Sequence, residues 1–201
     1  RGIVNNGAKI AVDNGAVIKI SGTDGDYTNN SSGGFDGRID LDGSFKLSGD
    51  WVNNATSGSV LINVDTDGEV LFEGTTIQSI QGNPTSFEKI DVNNANGVNL
   101  QADASVNGDF TFTNGLFLLG SSHLTLGLST SIQGTPSSSR MFVANGTGEL
   151  RKLFSSAGSF TFPVGDNSST NEYSPMTLNF TSGSFGGSAY AAIRVIDAKH
   201  P

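Results

Sequence analysis

Apolar residues in this chain fall in short runs in which every second position is apolar. Such runs are "AKIAV" (8–12), "AVIKI" (16–20), "GRIDL" (37–41), "SFKLSG" (44–49), "DFTFT" (109–113), "LFLLG" (116–120) and "HLTLG" (123–127). Period two is the strand period, because successive side chains on a strand point to opposite faces. No long window carries apolar residues at i, i+3, i+4 and i+7, so helices are not expected. Asp13-Asn14-Gly15, Asp42-Gly43 and Asn114-Gly115 separate the runs. Asn and Gly tolerate the positive φ of tight turns, so each flanking pair, taken alone, reads as a hairpin.

A second arrangement fits the same pattern. The runs recur every eight to ten residues or so, the signature of a parallel β-helix built from short strands and tight corners. In a β-helix, Asn and Gly would take the left-handed corner positions, and Asn, Ser and Thr would stack between turns. Stacked amides can hydrogen-bond at a spacing of about 4.8 Å, where stacked like charges repel. The low charge favours the solenoid, with an antiparallel sandwich as the alternative. We therefore expect an all-β chain. Residues 1–140 form a right-handed parallel β-helix (β-solenoid), and 141–201 a β-sandwich-like C-terminal region, the whole being a fragment of a larger protein. The shift at about 140 is marked by Pro136, a serine run, the basic residues Arg140, Arg151 and Lys152, and the longer strands "SFTFPVG" (159–165) and "YSPMTLNF" (173–180).

Composition narrows the function. Of 201 residues, 15% are charged, and the formal net charge of −8 lacks the basic footprint that nucleic acid or an anionic membrane requires. With no cysteine there is neither a disulfide framework nor a thiolate metal site. No stretch approaches the ~18 apolar residues of a membrane-spanning helix.

Candidate chemistry is sparse. The two histidines, His123 and His200, are far apart, and no nucleophile-elbow motif accompanies them. "NVDTDGEV" (63–70) offers Asn63, Asp65, Asp67 and Gly68 as the first half of a calcium loop. Position twelve, however, is Gly74 where a bidentate Glu is needed, and Glu73 is one residue out of register. A polysaccharide-cleaving enzyme would need two or three converging carboxylates. Asp24, Asp36 and Asp42 each precede Gly and read as turn residues, while Asp26 and Asp40 read as solvated. Trp51, the sole tryptophan, continues the alternation Phe45, Leu47, Gly49 and is expected to plug or cap the core. A sugar-stacking role would recruit Tyr27 and Phe35. Phe72, Phe87, Phe110, Phe112, Phe117, Phe160 and Phe162 are expected to form core stacks.

The order of motifs carries a resemblance. "LDGSFKLSGDWVNNA" is followed by "GEVLFEGTTIQSIQGNPTSFEKIDVNNANGVNL", then "VNGDFTFTNGLFLLGSSHLTLG", "SRMFVANGTGELRKLF" and "GSFTFPVGDNSSTNEYSPMTLNF". This series resembles large secreted surface proteins of Bacteroidota that are exported by the type IX secretion system. The resemblance implies an extracellular, β-rich segment and no particular reaction. The expected function is a non-enzymatic structural protein of a bacterial cell surface, an adhesin stalk or a filament subunit. A carbohydrate-binding module is the alternative, and a polysaccharide-degrading β-helix enzyme the third. No catalytic, cofactor or metal residues are assigned. Expected partners are other copies, neighbouring domains of the same polypeptide and surface glycans, with no nucleic acid and no membrane insertion. The runs "GIVNN" and "AAIRVID" could serve as edge strands for self-association.

Overall fold

The computed structural model describes residues 2–56, 61–62 and 67–196, and every regular element among them is a strand. The strands stack in parallel on three faces to give a β-solenoid of about six turns. Face one runs through Ile3–Asn6, Tyr27–Ser32, Trp51–Asn53, Gln78–Gly82, Val98–Leu100, Phe117–Leu118, Phe142–Val143 and Val164–Asp166. Face two has two ladders. Lys9–Val12, Arg38–Leu41 and Leu61–Ile62 come first, followed by Thr85–Phe87, Ala104–Val106, Leu124–Leu126 and Leu150–Leu153. Face three runs from Val17–Ile20 through Ser44–Leu47, Glu69–Phe72, Lys89–Asn93 and Phe110–Asn114 to Ile132–Gly134.

The turn residues therefore make corners and not hairpins. Asn114-Gly115 joins face three to face one, and Asp42-Gly43 joins face two to face three. Both connections need a sharp change of direction, so their local chemistry is alike. Gly115 has φ +99°, and a Cβ there would collide with the carbonyl oxygen of Asn94 in the turn below. Among the described residues, only glycines have positive φ, which corrects the expectation that Asn takes left-handed corners. Asn turns corners with its side chain instead. Asn5 Oδ1 accepts the Ala8 amide, Asn53 Oδ1 that of Ala55 and Asn94 Oδ1 that of Asn96, at 2.9–3.0 Å.

In-register pairing sets the core. On face three the inward column is Ile18, Phe45, Val70, Ile90, Phe110 and Ile132, each above the last. Phe110 lies at the centre of an aromatic cluster, with ring centroids 5.0 Å from Phe112, 5.2 Å from Phe117 and 4.6 Å from Phe142. Phe72, Phe87 and Phe162 are fully buried as well, and Phe160 packs at the core's edge. Trp51 is also fully buried, in the middle of the stack, with Tyr27 at 4.8 Å and Phe87 at 5.2 Å. It does not share a strand face with Phe45 and Leu47: a corner at Ser48–Asp50 intervenes, and all three point inward from two different faces.

Amides stack as well. Asn30 Nδ2 donates to Asn6 Oδ1 at 2.8 Å, and Asn54 Nδ2 donates to Asn30 Oδ1 at 3.0 Å, an outer ladder across three turns. Gln78 is buried at the corner between faces three and one, and its amide is fully used. Its Oε1 accepts the Gly74 amide (2.7 Å) and Asn94 Nδ2 (3.0 Å), while Nε2 donates to the carbonyls of Leu47 (3.1 Å) and Gly49 (2.5 Å).

The expected sandwich beyond residue 140 is not confirmed. Phe142–Val143 and Val164–Asp166 continue face one, and Leu150–Leu153 continues face two, all in parallel. Ser156–Phe162 and Met176–Ser184 pair with each other as a two-stranded antiparallel ribbon. Glu172–Tyr173 and Tyr190–Ile193 then lie antiparallel on the last strands of faces one and two. The run "AAIRVID" is therefore already paired within the chain as far as Ile193, whereas "GIVNN" is the outermost strand of face one.

Gln78→Leu would strand the buried Gly74 N–H and the Gly49 carbonyl, and take a second donor from the Leu47 carbonyl. It is expected to cost about 3 kcal/mol or more, whereas Gln133→Ala, on an exposed position, should stay within about 0.5 kcal/mol. Urea unfolding of the two variants checks this. Phe110→Ala should cost about 3–5 kcal/mol by the same measurement.

Candidate functional site

The outer surface of face two gathers the most varied side chains. Inward alternation of Ala104, Leu124 and Leu150 leaves Asp103, His123 and Glu149 stacked at the strand entrances. One position along, Ser86, Ser105, Thr125 and Arg151 form an outward column. Asp103, His123 and the outward column line a shallow depression of about 280 Å³ beside Pro84. Asp103 Oδ1 accepts the His123 amide at 2.8 Å, and Ser105 Oγ donates to Ser86 Oγ at 2.9 Å. Arg151 grips Glu149 Oε2 through Nε (2.9 Å) and Nη2 (2.8 Å) and stacks over Tyr190 at 5.1 Å.

The histidine is not set up as a triad base. His123 Nδ1 accepts the Glu149 amide at 3.2 Å, which places the neutral ring's proton on Nε2. A Ser/His/Asp triad needs Nδ1–H donated to a carboxylate. Asp103 accepts a backbone amide, and Glu149 Oε2, although 3.6 Å from Nδ1, is held by Arg151. What the arrangement can do is present a rigid row of hydroxyls beside a clamped guanidinium. His200 lies outside the described residues.

The other candidates do not converge. Asp26 Oδ1 accepts the Asp50 amide at 2.7 Å, Asp40 pairs with Lys9 at 2.5 Å, and Asp36 accepts the Thr56 amide at 3.2 Å and the Ser31 hydroxyl. Asp26 and Asp40 are thus half-buried and bonded, not merely solvated. Asp24 is exposed, and Asp42 sits half-buried at the corner into face three. Of the calcium-loop candidates, Asn63 and Asp65 lie outside the described residues. Asp67 lies 3.2 Å from Lys89, and Glu73 is tied to Lys19 at 2.7 Å. Among the described residues no group of three or more His, Asp or Glu could hold a metal ion. Trp51 and Tyr27 are buried and cannot stack on a sugar, whereas Phe35 is 71% exposed on a small hairpin at the corner after face one.

Among the buried polar side chains that escaped the sequence reading, two matter most for the packing. Gln78 carries the corner already described. Lys152 lies in "LRKL", where alternation from Leu150 would have turned it inward. It continues the inward column Phe87, Val106, Leu126 and is 5% exposed. Among the described residues no helix is long and apolar enough to cross a membrane. Comparison with family models, with curated proteins and with solved structures finds no match.

Several outward carboxylates are packed between turns. Burial pushes Asp50, Glu69, Glu88 and Asp91 above their ordinary values. For Asp50 the Ser79 amide (2.7 Å) opposes the rise, and for Asp91 the Thr113 hydroxyl (3.0 Å) does. Asp91 Oδ1 is buried without a hydrogen-bond partner. A carboxyl raised in the folded state binds its proton more tightly there than in the unfolded chain. Stability is then lost as pH rises from the ordinary carboxylate range through the folded value, and recovered on mild acidification. Melting should therefore shift upward between pH 7 and the ordinary carboxylate range at about pH 4.5. Asp91→Asn should melt higher at neutral pH and show a smaller shift. Circular-dichroism melts at the two pH values would contradict this if the wild-type midpoint fell on acidification.

Proposed function

We propose that the chain is a rigid structural segment of an extracellular bacterial surface protein, acting as an adhesin stalk or as a subunit of a fibre. The observation that carries the proposal is the continuous parallel stacking on faces one and three. One apolar core runs along the axis from Ile18 to Ile132 on face three, with parallel ladders on the other faces beside it. Six turns at the strand spacing give a rod roughly 30 Å long. Bending such a rod must open ladder hydrogen bonds on one side and compress packed side chains on the other, so it resists deflection. The location rests on the resemblance of the motif order to that of type IX-secreted Bacteroidota surface proteins. A right-handed coil is the sense that parallel crossovers overwhelmingly adopt.

On this reading the length and stiffness of the segment matter, and the identity of its side chains matters little. In cells displaying the parent polypeptide, deleting residues 2–196 should abolish surface adhesion or fibre formation. Replacing them with an unrelated β-solenoid of the same number of turns should restore it. If the replacement fails while remaining folded and displayed, the structural role is wrong.

A further inference from the structure

A groove of about 570 Å³ lies between the last turns of the solenoid and the antiparallel ribbon. Its walls are of two kinds. Leu128, Phe160 and Tyr173 supply apolar surface, and Leu128 is 49% exposed. Ser131, Ser159 and Thr161 supply hydroxyls. Lys152 also lines it, arriving from the inside of the solenoid, where it is 95% buried.

The lysine is the anomaly. A buried ammonium is costly unless it is paired with an anion and fully hydrogen-bonded. Lys152 Nζ donates to the carbonyls of Gly127 and Leu128 (the latter at 2.9 Å) and lies 5.3 Å from the Phe160 ring centroid. Two carbonyls account for two of its three protons, and no carboxylate among the described residues forms an ion pair with it. The arginine next to it, by contrast, is neutralised by Glu149. Burial also draws the Lys152 amine below its ordinary value, as expected for a cation short of a counter-charge.

We infer that this groove binds a carboxylated sugar residue, a uronate within a polysaccharide, whose carboxylate meets the Lys152 ammonium. The wall chemistry selects a sugar over other carboxylates. Sugar rings have an apolar face that packs on aromatic rings such as Phe160 and Tyr173, and an equatorial rim of hydroxyls that would meet Ser131, Ser159 and Thr161. A fatty carboxylate would leave those hydroxyls facing methylene groups. The chain's net negative charge does not oppose a contact of this kind, because surface charges beyond about 8 Å are screened at physiological ionic strength. The inference adds a ligand to the surface segment and does not depend on its mechanical role.

Isothermal titration of the whole chain with trigalacturonate tests it. Saturable binding is expected, with the neutral trigalactoside weaker by about tenfold or more, the share of one charge-assisted hydrogen bond, and octanoate weaker by about tenfold or more because it makes none of the hydroxyl contacts. Lys152→Met should lose trigalacturonate binding to the same degree. Should that variant fail to fold, Ser159→Glu places a carboxylate on the exposed wall and should cause the same loss without touching the core. The inference is overturned if trigalacturonate does not saturate. It is equally overturned if octanoate or the neutral sugar binds as tightly, or if a folded Ser159→Glu or Lys152→Met chain binds it unchanged.

Discussion

Parallel pairing in register obliges every residue in this molecule to sit directly over its counterpart one turn below. At a strand spacing of about 4.8 Å, neighbouring side chains must tolerate near-contact with each other along a whole column. The rest of the structure follows from that requirement. Most inward columns become apolar, while Asn5, Asn29 and Asn53 form a buried amide column on face one, its amides bonded to corner backbone at Asn5 and Asn53. Outward columns become hydroxyl or amide rows, such as Asn6, Asn30 and Asn54, whose side chains both donate and accept. Charge is admitted where its opposite lies within reach, as with Lys19 and Glu73 two turns apart. Carboxylates such as Asp91 that are hemmed in by the stack are held above their ordinary ionisation range.

Corners carry a different constraint. The chain must change direction without losing backbone hydrogen bonds, and water reaches the inner side of a corner poorly. Glycine solves the geometry at Gly115, and buried amides solve the bonding. Gln78 serves the Gly74 amide and the carbonyls of Leu47 and Gly49 together, which ties two successive turns at one vertex. In "GTTIQSIQGN", the first glutamine therefore has a structural reason for its type. A shorter or apolar residue there could not reach both strands and also meet Asn94.

Much of this was legible in the sequence, and the exceptions have physical causes. Alternation and turn residues identify strands because both act over a few positions. The same features cannot tell a corner from a hairpin, since Asn114-Gly115 would suit either and only pairing with distant turns decides. The low charge and abundant amides tipped the choice correctly, because they report on stacking. Trp51 was rightly assigned to the core but wrongly aligned with Phe45 on one face, because alternation carried through a corner keeps its parity while the face changes. The last 60 residues misled because long alternating strands suggest a sandwich. Here Ser156–Phe162 and Met176–Ser184 pair only with each other, while the shorter strands around them go on building the solenoid. Lys152 was hidden by its type: a lysine beside an arginine reads as surface, although its position in the alternation points inward.

The two ends of the stack show what happens when its defining constraint lapses. At the first turn Ile3, Ile10 and Ile18 are only partly buried, since no turn among the described residues lies beneath them. At the other end, antiparallel strands lie on faces one and two, and the rule that each residue matches the one below no longer applies. Lys152 occurs at that seam, above Leu126 and opposite Ala191. A regular turn above would have favoured an uncharged residue there, whereas the change of strand direction leaves room beside the column and opens the groove. Repetition makes the body of this rod chemically uniform. Recognition chemistry is therefore expected where the repetition stops, and the buried ammonium of Lys152, with no carboxylate paired to it, sits where the strand direction reverses.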